Sequence, residues 1–170
     1  MLEERSGAAT GQADRAGLTI VELVVVIVTI GILAVVALPR LVHLADEAHT
    51  AKTAAVSGAL ESTIDLVHSK WRAQGGGTTV SLEGTTVEVG STGWPVGTGG
   101  PPMTESACAA LWNDLLASAP PIGTSFVPGR KGWGTMAAGD YCVWVLETDT
   151  NPIRVILYNS ATGVTTYLVV

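Results

Sequence analysis

Charge is scarce in this chain. Only 14% of its 170 residues are Asp, Glu, Lys or Arg, against roughly a quarter in an ordinary soluble domain. Positive charge is scarcest: nine Lys and Arg face fifteen Asp and Glu, for a net charge of −6 and a pI near 4.9. That balance argues against a nucleic-acid binder working through a broad basic patch. Two Cys and three His leave little material for a protein metal site. No apolar core marks the first seventeen residues, which carry Glu3, Glu4, Arg5, Asp14 and Arg15, so Met1–Gly17 is not an ordinary secretory signal. Nor does any Ser/His/Asp or Cys/His arrangement, phosphate loop or carboxylate pair stand out. The sequence predicts no enzyme and no cofactor.

Hydrophobic residues make up 47% of the chain, and mean hydropathy is +0.39. The excess sits in one place. Leu18 to Leu38 is a run of 21 residues whose single ionisable group is Glu22. At 1.5 Å per residue it spans roughly 30 Å, one hydrocarbon core. Its length and lack of turn signals predict a membrane helix rather than a strand. Arg15 and Arg40 flank it on opposite sides, so the positive-inside rule gives little guidance to orientation.

Glu22 is the anomaly of that helix. A carboxylate in an apolar segment costs about 2.5–3.5 kcal/mol at the bilayer centre and less near the interface. One reading is a Glu that snorkels to the headgroups or partners the helix N-terminus. The other requires a cation at the same depth, and the segment contains no Lys or Arg. Cutting the chain after Gly17 would give Leu18 a free α-amine, and that amine on a neighbouring copy would be a counter-charge for Glu22.

Gly17-Leu18-Thr19-Ile20-Val21-Glu22-Leu23-Val24-Val25-Val26-Ile27, followed by Gly31-Ile32-Leu33-Ala34 and Ala37-Leu38-Pro39-Arg40, resembles the leader junction and N-terminal helix of type IV prepilins. The resemblance covers about 24 residues. It implies cleavage after Gly17 by a prepilin peptidase, N-methylation of Leu18, and pairing of Glu22 with the amine of an adjacent subunit during assembly. It also implies that Gly31 and Pro39 let the helix bend; both residue types weaken a helix interior. Further along, Gly93-Trp94-Pro95-Val96-Gly97 and Cys108-Ala109-Ala110-Leu111-Trp112-Asn113-Asp114-Leu115-Leu116 resemble pilins of the mannose-sensitive haemagglutinin type. The chain departs from the pattern at Leu18, where Phe or Met is usual, and at Ala16, which separates Arg15 from the cut. The seventeen-residue leader is long for the class, and the second helix-bending Pro is missing, with Gly58 the nearest substitute.

Beyond the apolar run, Val56, Leu60, Ile64, Val67 and Trp71 recur at steps of 4, 4, 3 and 4, with Asp46, Glu47, Lys52, Glu61, Asp65 and Lys70 on the polar side. That is an amphipathic helix continuing the first one. Leu18 to Trp71 is 54 residues, roughly 80 Å of helix, of which only half can lie in a membrane. Gln74-Gly75-Gly76-Gly77 ends it.

Thr78–Leu82 and Thr85–Val89 around Glu83-Gly84 predict a hairpin, residues 90–102 a Gly/Pro-rich loop, and Glu105–Ser118 a short helix stopped by Pro120-Pro121. Phe126–Gly139 reads as irregular. Tyr141–Glu147, Arg154–Asn159 and Val164–Val169 predict a three-stranded antiparallel meander whose inner face covers the Val56–Trp71 stripe. The fold expected is α+β: the type IV pilin fold, a long N-terminal helix on an antiparallel sheet. The chain divides into a leader 1–17, a transmembrane and assembly helix 18–39, an amphipathic stem 40–73 and a β-sheet head 74–170.

Cys108 and Cys142 are the only cysteines. In an exported domain two cysteines most simply form one disulfide; the competing reading is two buried thiols in a cytosolic domain. His43, His49 and His68 read as solvated stem residues. Glu147, Asp149 and Asn151 alternate acceptors but lack the Gly and terminal Glu of a calcium loop, so they read as a turn. Trp133, between Gly132 and Gly134, is either an exposed contact loop or a buried core residue.

The function expected from the resemblance is a structural pilin polymerising with its own copies and minor pilins into a type IV pilus for surface adhesion, with motility as a secondary use. It would begin in the bacterial inner membrane with its head extracytoplasmic and end at the cell surface. A type II secretion pseudopilin shares the N-terminal logic but favours calcium over a disulfide. A monomeric bitopic membrane protein with a small binding domain is the reading from another class.

Overall fold

A computed structural model describes residues 19–148 and 151–170, with backbone only at residues 39 and 41–43. Its elements in order are α1 (Ile20–Ala73), β1 (Thr79–Leu82), β2 (Thr85–Glu88), α2 (Glu105–Leu115), β3 (Trp133–Ala138), β4 (Tyr141–Leu146), β5 (Arg154–Asn159) and β6 (Thr165–Val169). The architecture is α+β. The chain forms two compact units, one ending at Ala45 and the other running from Asp46 to Val170. The second half of α1 therefore belongs to the same unit as the strands.

The α1 helix starts and stops on local chemistry. Thr19 caps its beginning: the Thr19 hydroxyl accepts from the Glu22 amide at 3.2 Å, and the Thr19 carbonyl accepts from Leu23. At its end, Gly75 adopts φ +82°. The Gly75 amide donates to the Arg72 carbonyl and the Gly76 amide to the Trp71 carbonyl, the paired bonds of a Schellman cap. The run of glycines after Gln74 serves this geometry, because a Cβ is costly in the left-handed region.

In the second unit α1 buries one stripe. Thr53, Ser57, Leu60, Ile64 and Val67 are buried, and Val56 and Trp71 are partly so. Two hydroxyl residues thus extend the apolar stripe expected from Val56 onward. Thr53 satisfies its own hydroxyl by donating to the His49 carbonyl at 2.9 Å. Gly58 lies on the exposed side of the same helix, with nothing within 4 Å of where a Cβ would stand. Gly58→Ala is therefore expected to raise the stability of this unit by about 1 kcal/mol through helix propensity alone, read as a higher midpoint in urea unfolding.

β1 and β2 pair antiparallel from Thr79↔Glu88 to Leu82↔Thr85. The two-residue connection is Glu83-Gly84, at φ +47° and +92°, the left-handed pair that a type I′ hairpin needs. The larger sheet has four antiparallel strands in the order β3-β4-β5-β6. The sequence predicts three. The addition is β3, which pairs with β4 from Trp133↔Leu146 to Ala138↔Tyr141. α2 also ends at Leu115 rather than Ser118. The C-cap amide of Leu116 donates to the Trp112 carbonyl, and the Trp112 indole N–H to the Pro120 carbonyl, which turns the chain before the prolines.

The core joins α1, α2 and both sheets. Trp112 of α2 lies 4.9 Å from Trp133 and 5.4 Å from Trp144, ring centre to ring centre, both pairs tilted. Trp144 in turn stacks on Tyr158. Such ring pairs add about 0.5–1.5 kcal/mol each beyond the area they bury. Trp133 is thus a core residue, not an exposed contact loop. The Tyr158 hydroxyl donates to the Pro95 carbonyl at 2.8 Å, tying the Gly/Pro-rich loop to the sheet, and burial pushes its pKa up. Cys108 of α2 and Cys142 of β4 are joined in a disulfide with Cα atoms 5.5 Å apart.

Candidate functional site

The site expected at the N-terminus is only partly within the described residues. Leu18 and the whole leader, Gly17 included, lie outside them. Glu22 is described and stands in the first turn of α1. There the positive end of the helix dipole favours a carboxylate. Among the described residues no cation or hydrogen-bond donor reaches the Glu22 side chain. The other polar side chain in this stretch is internally satisfied: the Thr29 hydroxyl donates to the carbonyls of Val25 and Val26.

Around Glu22 the helix is apolar on every side. Ile20–Leu38 is 19 residues long with a hydropathy of 3.0, and none of it is buried. Ile20, Val21, Leu33 and Val35 are each about two-thirds or more exposed. A helix that is apolar all round is stable only inside something apolar, and this one is long and apolar enough to cross a membrane. α1 is continuous through Gly31 and Pro39. No atom lies within 4 Å of a Cβ at Gly31, so packing within the chain does not require glycine there. Pro39 has no N–H, so the Val35 carbonyl lacks its usual helical donor.

The second unit contains a polar centre that the sequence does not reveal. Glu147 is fully buried and is not part of a solvated turn. Its two oxygens accept from Arg130 Nε at 2.6 Å and Nη2 at 2.9 Å, a forked pair, and from the Val127 amide. The Gly129 amide donates to the Glu147 carbonyl, and the Glu147 amide to that of Gly132. Residues 123–132 thus wrap around one carboxylate. Gly134 and Gly123 leave the room: a Cβ would lie 2.1 Å from Glu147 Oε1 at the first and 2.1 Å from Arg130 Nη2 at the second. Asp149, the next member of the acidic alternation, lies outside the described residues.

The histidines differ from expectation as well. His68 is not solvated. Its ring stacks on Trp94 with centres 3.8 Å apart and on Trp71 at 5.7 Å. Trp94 lies over Gly163, where a Cβ would come within 2.2 Å of the indole. His49 is half-buried, and the side chain of His43 lies outside the described residues. Among the described residues no three His, Cys, Asp or Glu side chains gather to hold a metal.

One open groove of about 770 Å³ runs between α1, the β1–β2 turn and the end of α2, with Ala55, Ala59, Thr63, Glu83, Asp114 and Ser118 on its walls. Partial burial raises the pKa of the Asp114 carboxyl there. The groove offers small and aliphatic side chains and two acids, with no Cys, His, Lys or Arg on its walls.

No family model, no curated protein and no solved structure matches the chain.

Proposed function

We propose that the chain is a filament-forming structural subunit of the type IV pilin kind, not an enzyme. It starts in the bacterial inner membrane with Asp46–Val170 outside the cytoplasm and passes from there into a surface pilus that serves adhesion. One observation carries this reading: Ile20–Leu38 leaves every apolar face uncovered, and the one acid among them, Glu22, has no partner among the described residues. Lipid covers such a helix before assembly and the same helix of neighbouring copies covers it afterwards. The neighbour's Leu18 amine, freed by a prepilin peptidase cutting after Gly17, neutralises Glu22. The Cys108–Cys142 disulfide supports an extracytoplasmic head and favours the pilus over a calcium-dependent pseudopilin.

The Thr19 cap and the place of Glu22 in the first turn favour one competing reading, a monomeric bitopic anchor in which the helix dipole alone accommodates the acid. Mass spectrometry of the purified mature chain separates the two. The pilin reading expects an N-terminal methylated Leu18; an intact Met1 would overturn it. Glu22→Ala is expected to insert in the membrane like the parent chain yet yield no sheared filaments in electron micrographs. Filaments of normal abundance from that variant would exclude the role given to Glu22.

A further inference from the structure

The groove between α1, the β1–β2 turn and the end of α2 combines apolar surface with unanswered charge. On its helical wall Leu66 is 52% exposed, and Ala55 and Ala59 are small enough to let another helix come close. Its two acids, Glu83 and Asp114, have no cation beside them among the described residues. Burial raises the pKa of the Asp114 carboxyl, and a cation brought alongside would lower it again. Such a surface selects a segment that is apolar and positively charged at once.

The chain itself carries one such segment. Among the described residues Lys70 donates to the Ser81 carbonyl, and Arg130 and Arg154 are held by Glu147 and Asp46. Arg40, Lys52, Arg72 and Lys131 make no such bond there. Lys52 has Ala48 and Ala55 beside it on the helix, Arg72 stands in the last turn before the glycines, and Lys131 lies between Arg130 and Gly132. Arg40 alone has large exposed aliphatic neighbours. Val36 and Leu44, four positions to either side of it, are 65% and 60% exposed, so the three share one uncovered face of α1.

We propose that the Val36, Arg40 and Leu44 face of one copy docks in the groove of a second copy, with the Arg40 guanidinium between Glu83 and Asp114. The proposal rests on the filament reading and gives that assembly a second electrostatic contact besides the pairing of Glu22. Ala55 follows Arg40 by fifteen positions on the same helix. Two copies at equal depth in a membrane, with their helices parallel, therefore do not meet this way. The contact forms once one copy is advanced along the helix axis relative to the other. It is heterologous: each copy offers Arg40 to one neighbour and its groove to another, and the contact repeats without closing. Exposed ion pairs contribute little by themselves, so the apolar flanks supply the attraction and the charges set the register.

The test uses filaments sheared from cells that express the full chain with Arg40→Lys, which keeps the charge and introduces an amine. A water-soluble carbodiimide joins an amine to a carboxylate already in contact with it, as an amide with loss of water. Covalent dimers are separated on a denaturing gel, and peptide mass spectrometry should find position 40 joined to Glu83 or Asp114. Adding Glu83→Gln and Asp114→Asn to that chain should abolish this link. Arg40→Glu in the parent chain should lower the yield of sheared filaments about tenfold at an unchanged amount of chain in the membrane, because like charges then meet in the groove. Glu83→Arg with Asp114→Arg in the same chain should restore the yield. Filaments that give no link from position 40 to either acid, or a yield untouched by Arg40→Glu, would overturn the proposal and leave the filament reading standing. A parent chain with an intact Met1 and no sheared filaments would overturn both.

Discussion

Replacing Glu147 with alanine is expected to cost about 3 kcal/mol of stability, because it removes a buried carboxylate and leaves the Val127 amide and the Arg130 guanidinium without their acceptor. Val127 loses the partner of its amide, and Arg130 loses both arms of its fork. The Arg130 side chain is 40% exposed, so it can turn to water, which keeps the cost at the low end of what a broken buried pair produces. For a unit of this size the melting midpoint should fall by about 10 °C. The loop 123–132 should loosen first, so limited proteolysis should cut there in the variant and spare the parent. Glu147→Gln keeps an acceptor for Val127 and removes the charge, and should lose about half as much. A variant with an unchanged midpoint and no new cleavage would show that the loop is held by its other bonds.

The Cys108–Cys142 disulfide should have the largest effect of any single covalent feature. The sequence separation is 34. In the chain-entropy account, closing such a loop contributes about 4 kcal/mol by restricting the unfolded chain. A Cys108→Ser/Cys142→Ser double variant is therefore expected to melt about 15 °C lower while keeping the native near-ultraviolet signature at low temperature. Neighbouring anchors survive the change, including the Trp144 indole N–H donating to the Cys108 carbonyl at 3.1 Å. Thermal scans with and without reductant measure the same difference on the parent chain. Superimposable scans would mean that the unfolded chain is already compact around this pair.

What the sequence reveals tracks how local each cause is. α1 is legible because an uncharged run and then an apolar stripe each repeat within a few residues, and its end is legible because three glycines follow it. The β1–β2 hairpin is legible from Glu83-Gly84 alone. β3 is not: Trp133-Gly-Thr-Met-Ala-Ala has little β-branched character, and it becomes a strand through its register with β4. Glu147 reads as one of several turn acids because its partners stand 17 and 20 residues upstream. His68 reads as solvated because the ring that covers it, Trp94, comes from a loop 26 positions away. The Glu22 anomaly is visible in sequence as one acid in a greasy run, whereas the threonine cap beside it becomes evident only once the helix start is placed at Ile20.

Arg154 has a mechanical consequence. It is the first residue of β5, an interior strand, and its fully enclosed guanidinium grips the carboxylate and backbone carbonyl of Asp46 and the Thr50 hydroxyl. Asp46 is where the second compact unit begins. Tension drawn along the helix from its N-terminal side therefore reaches a sheet strand at the first turn of that unit, long before it reaches the glycines at 75–77. The load is shared with the middle of the sheet before it reaches the glycine cap that ends α1.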